Sequence, residues 1–282
     1  MPTAVLPRGR RLAFDEHGDP QSNDVVVLFH GAPGSRAFVP GPVGDCRLLT
    51  FDRPGYGESD PHDGRTVLDA GVDLAAVLDA IGVERARLVA WSGGCPFAVG
   101  AAVALGPERV RSLTLVSGPG PLDEVDGAWD ALPTLHRASA EMARIDLERA
   151  MRGIDRGLVA FVEQPEVMLG TGRGADGAVM ADPSIRAMME RQIRLSVAQG
   201  TAGIASDLVA MWRPWEFSLG DVAVATAVFW GAEDPNNRAA AGRYATAIRG
   251  ATYTEWPTAG HLGIVSNWSQ VLAAGSRWGA GR

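Results

Sequence analysis

Short apolar strands alternate with helix patterns along the first 116 residues, and this alternation restricts the possible folds more than any other feature. Residues 25–29 (VVVLF) are a continuous apolar and β-branched run, which is typical of a strand buried on both faces. Because strands separated by helices pair in parallel, the pattern predicts an α/β fold with a mostly parallel central sheet flanked by helices. Further strands are predicted at 10–16, 47–51, 87–91 and 110–116, and helices at 67–81 and 97–105.

The alternation stops after Val116 and resumes at Ala225. We therefore predict one core domain, made of residues 1–120 and 221–282, into which residues 121–220 are inserted as a helical cap. Within the cap, helices are predicted at 132–152, 158–168, 184–199 and 202–211, interrupted by the glycine-rich residues 170–177. After it come the predicted strands 225–230 and 251–256 and the predicted helices 238–248 and 262–278.

The sequence LVAWSGG at residues 88–94 places a serine at the junction of a strand and a helix. Small residues at Ala90 and Gly94 allow the close backbone approach of a strained turn that projects Ser92 above the sheet. The following helix N-terminus favours developing negative charge, and Pro96 is compatible with a first helical turn. The pattern predicts a nucleophile elbow, although an ordinary strand–helix turn uses similar residues.

A second loop, HGAPG at residues 30–34, follows the first buried strand. Its glycines allow the chain to fold back toward Ser92, so that the N–H groups of Ala32 and Gly93 converge on an oxyanion. Pro33 has no N–H and is excluded as a donor. Taken alone, the motif is equally typical of a simple Gly/Pro turn.

Charge and cysteine content narrow the classes of partner. The net charge is −7, with 33 acidic residues against 26 basic residues that are all arginine. Since an acidic chain without basic clusters is not attracted to nucleic acid or anionic membranes, we expect neither as a partner. The two cysteines lack metal-binding spacing, and no segment reaches the ~20 apolar residues of a membrane helix. Residues 1–11 lack leader character, so a soluble, cytoplasmic protein is expected.

Five motifs resemble those of α/β-hydrolase fold proteins of the HGxPG type, a group that includes esterases, cofactor-free haloperoxidases and proline iminopeptidases. They are HGAPG (30–34), DRPGYGES (52–59), the elbow, GAED (231–234) and AGH (259–261). The elbow departs from the family in having Ala90 for the usual glycine, and Cys95 where a further glycine is common. The resemblance implies a helical cap after the sixth strand, a catalytic triad in the order Ser–Asp–His, and no metal or organic cofactor.

Asp234 is the predicted acid of this triad, since it follows a strand near the end of the sheet through the turn at residues 231–233. It would accept a hydrogen bond from the histidine Nδ1 and so hold the correct tautomer. The alternatives are Glu233, which should face away, and Asp123, which lies just beyond the preceding strand.

His261 is the predicted base, because it occupies the loop after the final strand. His30 belongs to the oxyanion loop, where a structural hydrogen bond is expected. The histidines expected to have ordinary surface or core roles are His17, His62 and His136.

Aromatic residues near these motifs are candidates for binding substrate. They are Trp91 beside the serine, Phe38 after the oxyanion loop, and Trp212 and Trp215 at the end of the cap; core packing is the alternative for the three tryptophans. A largely apolar pocket under the cap favours an uncharged, moderately hydrophobic small molecule. The apolar cap residues expected to pack inward, some lining this pocket, are Leu132, Leu135, Met142, Ile145, Met188, Met189 and Ile193.

These residues together predict a serine hydrolase that cleaves a carboxylic ester or a related carbonyl bond. A proline iminopeptidase-like aminopeptidase, or a cofactor-free lyase or cyclase, is an alternative that uses the same triad. The other alternative is a non-catalytic ligand-binding homologue, which would not need all three triad residues at these positions. The sequence leaves the oligomeric state open, and a homodimer is one of the states that it allows.

Overall fold

The computed structural model describes residues 2–159, 163–164, 174–234, 236 and 238–276. Its centre is an eight-stranded sheet with the order β1-β2-β4-β3-β5-β6-β7-β8. Strands β3 to β8 are parallel to one another, and β1 and β2 form an antiparallel edge. The strands are Thr3–Val5, Arg11–Gly18, Val25–Phe29, Arg47–Phe51, Ala86–Trp91, Val110–Val116, Ala225–Gly231 and Thr252–Trp256. The predicted α/β fold with a mostly parallel sheet is confirmed; β1 was not predicted.

Helices cover both faces of this sheet. The helices α1 to α11 are Ala70–Ala80, Cys95–Arg109, Ala128–Ala131, Thr134–Ala143, Leu147–Leu158, Gly174–Met180, Pro183–Ser196, Ala202–Trp212, Arg238–Ala247, Gly263–Ser266 and Trp268–Ser276. Along β3, Val27 packs in one apolar cluster with Leu74 of α1, while Val26 packs in another with Val271 of α11. Successive side chains of a strand point to opposite faces, and both faces of β3 are buried, which explains its uninterrupted apolar sequence.

In the described residues between β6 and β7, the regular elements are helices α3 to α8 and one short 3₁₀ turn, Leu219–Asp221. The single helix predicted over 132–152 is wrong: α4 ends at Ala143, and α5 starts after Asp146, whose side chain accepts from the Arg149 N–H at 2.9 Å. An aspartate in this position caps a new helix rather than continuing the old one. The predicted helix 158–168 lies largely outside the described residues.

Two further predicted boundaries are corrected. The glycine-rich stretch does not interrupt the helices as far as 177, because α6 begins at Gly174. The last predicted helix is divided at Asn267 into α10 and α11. None of the described helices combines the length and the apolar character needed to cross a bilayer.

The described helices between β6 and β7, called the cap below, pack differently from the way their apolar periodicity predicts. Helix α4 packs through its small face, where Ala140 and Ala143 are buried, so Leu135 is left 72% exposed. Ile145, in the turn before α5, is 81% exposed. The other predicted residues do pack: Leu132 and Met142 against α5 and α8, and Met188, Met189 and Ile193 toward the core or within the cap.

Candidate active site

Ser92 lies in a strained turn between β5 and α2. Its φ is +52°, in the left-handed region that non-glycine residues avoid. Both following glycines are required by close contacts: a Cβ on Gly93 would lie 2.6 Å from the Ala32 Cβ, and one on Gly94 would overlap the Phe29 carbonyl oxygen. The chain therefore has the local geometry of a nucleophile elbow.

A glycine after the neighbouring strand makes room for Cys95, the unusual residue that follows the elbow. A Cβ on Gly118, just beyond β6, would overlap the Cys95 side chain, so the missing side chain at 118 makes room for the cysteine. Burial raises the pKa of the Cys95 thiol to about 12, which keeps it protonated and unreactive. Ser92 thus remains the candidate nucleophile of this turn.

The structure brings together the three residues predicted as the triad. The His261 Nε2 lies 2.9 Å from the Ser92 Oγ, and the His261 Nδ1 lies 2.8 Å from the Asp234 Oδ2. Asp234 is fully buried, and its second oxygen accepts from the Asn236 N–H at 2.9 Å. Because a carboxylate accepts only, Nδ1 donates to Asp234, and Nε2 is left to accept from the serine hydroxyl.

The alternative acids lie elsewhere. Asp123 bonds to Arg144 at 2.8 Å, and this hydrogen bond lowers the pKa of the Asp123 carboxyl. Glu233 turns away from His261 and accepts from the Ala175 N–H of the cap at 3.1 Å. Neither carboxylate is bonded to the histidine.

The oxyanion loop approaches the elbow as predicted from its glycines. A Cβ on Gly93 would lie 3.0 Å from the Ala32 backbone nitrogen, so the two predicted N–H donors are neighbours. Arg53 holds the preceding carbonyls from behind, donating to the oxygens of His30 and, at 2.9 Å, of Gly31. These contacts hold the two residues that precede Ala32 in place.

Asp207 anchors Arg53, and sequence reasoning missed it. Its Oδ2 accepts from Arg53 at 2.6 Å and from the Tyr56 hydroxyl at 2.7 Å, and its Oδ1 pairs with Arg65. Asp207 is completely buried, although it belongs to the cap helix α8. A lone carboxylate inside the apolar sequence AGIASDLVAMW was the one available signal, because a buried charge needs a partner.

His30 has the structural role expected of it. Its Nδ1 donates to the Gly31 carbonyl oxygen at 2.7 Å, and its Nε2 accepts from the Arg53 N–H at 3.2 Å. This arrangement requires the neutral imidazole. Burial, and secondarily the Arg53 charge, hold the pKa of His30 well below its usual value.

The four predicted aromatic residues have different surroundings. Trp91 donates its indole N–H to the His261 carbonyl oxygen at 2.9 Å and so supports the histidine loop. Phe38 has no exposed surface and stacks on Trp91 at 4.7 Å, so it packs behind the site. Trp215 bonds to the Met211 carbonyl and packs against Phe217. Phe38 and Trp215 thus pack against the two core clusters, which for Trp215 is the alternative given above.

Trp212 lines a cavity of about 390 Å³ between the cap and the core. Its walls are mostly apolar and include Pro119, Leu122, Ala131 and Met211. Asn236, whose N–H supports Asp234, lies at the same cavity. In the described part of the chain, no three His, Cys, Asp or Glu side chains lie close enough to hold a metal ion.

Known proteins resemble this chain in both sequence and fold. A 2-hydroxy-6-oxononadienedioate/2-hydroxy-6-oxononatrienedioate hydrolase of Burkholderia vietnamiensis is 35% identical over 128 residues, covering 40% of this chain and 43% of the relative. A 2-hydroxymuconate semialdehyde hydrolase of Pseudomonas sp. is 29% identical over 194 residues, covering 58% and 65%. The chain thus matches less than two thirds of the length of either relative.

A thermophilic esterase from Thermogutta terrifontis superposes with a TM-score of 0.70 at 21% identity, over 98% of this chain and 97% of that one. At this identity the likeness concerns the fold. The sequence profile of the alpha/beta hydrolase fold matches residues 24–267, which include the elbow, the oxyanion loop and the loops of Asp234 and His261. With this match over most of its length and a fold shared along nearly all of it, the chain belongs to the α/β-hydrolase fold family.

Proposed function

We propose that this protein is a serine hydrolase that cleaves a carboxylic ester or a related carbonyl bond through a Ser92–His261–Asp234 triad. The observation that carries the proposal is the 2.9 Å contact between the His261 Nε2 and the Oγ of a serine held at φ +52°. A serine hydroxyl becomes nucleophilic when an adjacent base can take its proton. The buried Asp234 fixes the tautomer in which Nε2 is that base.

In the acylation step, His261 removes the Ser92 proton as Oγ attacks the carbonyl carbon of the substrate. The carbonyl oxygen becomes negatively charged and is stabilised by the N–H groups of Ala32 and Gly93. His261 then gives the proton to the leaving alcohol, and the acyl group stays on Ser92. In deacylation, His261 activates a water that attacks the acyl-enzyme and releases the acid.

The proposed substrate class rests on the cavity beside Asn236, two residues beyond Asp234. This cavity of about 390 Å³ has the size of a small-molecule pocket and mostly apolar walls, to which Asp126 and Arg238 add two charged side chains; Asn236 lines it, whereas Ser92 and His261 do not. Met211 and Trp212 supply adaptable and aromatic surface there. These features support an uncharged, moderately hydrophobic substrate.

Labelling with a fluorophosphonate tests the proposal, since this reagent traps activated serines covalently. The wild-type protein should be labelled on the peptide that contains Ser92, and Ser92→Ala should lose both labelling and ester turnover, the latter by several orders of magnitude. Ser117→Ala is the matched control, because Ser117 has a similar φ of +51° and no place in the triad. A folded Ser92→Ala protein with near-normal turnover would contradict the mechanism.

A substrate panel separates the proposed activity from its alternatives. Neutral acyl esters and lactones should be turned over faster than charged esters of equal length. Turnover of aminoacyl amides alone would favour the aminopeptidase. Failure of all substrates, together with failure of labelling, would favour the ligand-binding homologue.

A further inference from the structure

One carboxylate of the cap, Asp176, binds the loop that carries His261. Both oxygens of Asp176, in α6, accept backbone N–H groups of consecutive loop residues: Oδ2 accepts from His261 at 3.1 Å and Oδ1 from Leu262 at 2.8 Å. Asp176 is 85 positions from His261 and 86 positions from Leu262 in the chain. This contact lies on the backbone of the residue that acts as base in the proposed mechanism.

The loop is shaped to receive this carboxylate. A Cβ on Gly260 would overlap Asp176 Oδ1, so the missing side chain at 260 makes room for the acceptor. At the end of the same helix, Met180 is buried in one apolar cluster with Leu262 and Ala259. The carboxylate therefore comes with an apolar anchor, and both contact the same loop.

The start of α6 also contacts the loop of the acid. Ala175 donates its N–H to Glu233, the neighbour of Asp234, at 3.1 Å. Within the core, the Glu233 N–H donates to the Ala259 carbonyl oxygen at 2.9 Å. The cap residues 175 and 176 thus tie together the two loops that carry Asp234 and His261.

We propose that Asp176 is a positioning residue that holds His261 in place, so that docking of the cap completes the triad geometry. The inference rests on the proposed function of His261. Cap residues that line the cavity, such as Trp212, would affect which substrates bind, whereas Asp176 would affect the chemical step on every substrate. Displacement of a catalytic group by about 1 Å can cost roughly 100-fold in rate.

Two variants and one control test this role. Asp176→Ala removes both acceptors, and Asp176→Asn keeps the shape but leaves one oxygen for two N–H groups. The control is Asp182→Ala, which removes another cap carboxylate; Asp182 caps α7 by accepting from the Ser184 N–H at 2.8 Å. Melting temperatures of all three confirm that folded proteins are compared.

On p-nitrophenyl acetate, Asp176→Ala should lower kcat by about 10- to 100-fold with little change in KM, and Asp176→Asn should lie between it and the wild type. Amide hydrogen exchange in the peptide containing residues 260–262 should be faster in Asp176→Ala than in the wild type or in Asp182→Ala. The rate of fluorophosphonate labelling should fall in parallel with kcat.

The exchange measurement separates the two proposals. Exchange and kcat in Asp176→Ala equal to those of Asp182→Ala would overturn the role of Asp176, whatever the wild-type activity. Faster exchange in a protein whose wild type neither labels nor hydrolyses esters would demonstrate the contact and overturn the proposed function, and with it the catalytic part of this inference.

Discussion

In the core, Ser92, Asp234 and His261 lie on three loops at the carboxyl edge of one sheet, whereas the cap reaches that edge through two carboxylates, Asp207 and Asp176. The two carboxylates differ in burial and in partners. Asp207 is completely buried and neutralises two arginines behind the oxyanion loop, while Asp176 is half-buried and binds neutral backbone amides of the histidine loop.

The comparison assigns different tasks to the two regions. In the proposed mechanism the core supplies the groups that react, and the parallel strand order places them together, because carboxyl ends of such strands meet at one edge. The cap supplies side chains that fix the loops between those groups. Loss of a triad residue should therefore affect the reaction itself. Loss of Asp207 should lower the stability of the fold, and loss of Asp176 should disturb the position of His261.

The largest effect is expected for the buried acid of the core. Asp234→Asn keeps the shape but no longer selects the histidine tautomer, and in triads this change lowers kcat by about 10⁴-fold. Steady-state ester hydrolysis measures it. Asp123→Asn is the matched control and should stay within a few-fold of wild type, since Asp123 bonds to Arg144. A large loss in Asp123→Asn and a small one in Asp234→Asn would reverse the assignment.

Asp207→Ala is expected to have the next largest effect, on stability. It leaves the buried guanidinium groups of Arg53 and Arg65 without this counter-charge, which for a buried ion pair costs about 3–5 kcal/mol. Urea denaturation measures the change in the free energy of unfolding. The same substitution at Asp123, paired with Arg144 at the surface, should cost about 1 kcal/mol or less. Equal losses of stability in the two variants would show that the buried ion pairs of Asp207 stabilise the protein no more than the surface pair of Asp123.

The smallest expected effect is a loss of folding stability at acidic pH. His30 stays neutral in the folded protein, whereas the unfolded chain binds a proton there below pH about 6.5. The unfolded state therefore holds more protons below that pH, so the free energy of unfolding falls with acidification, by at most about 1.4 kcal/mol per pH unit from this group.

Urea denaturation between pH 5 and 7.5 measures this slope. His30→Asn should flatten it, and His136→Asn, which replaces an exposed cap histidine, should not. An unchanged slope in His30→Asn would mean that the oxyanion loop does not contribute to acid sensitivity.

The sequence predictions were more accurate for the strands of the core than for the helices of the cap. The strand Val25–Phe29 has the predicted bounds, because burial on both faces leaves a local apolar run. In the cap, periodicity identified helices but not their breaks or partners. Leu135 was expected to pack inward, yet α4 buries its alanines instead, since a small face allows closer helix packing.

The sequence by itself determined the class of fold, the elbow at Ser92 and the chain order of Asp234 and His261, because each follows from patterns among neighbouring residues. Only the tertiary structure decided which cap carboxylates contact the loops of the core. Asp207 and Arg53 are 154 positions apart, and Asp176 and His261 are 85 apart. Such pairs depend on how helices pack against the sheet, and local patterns of polarity and turn residues carry no information about a partner so distant in the chain.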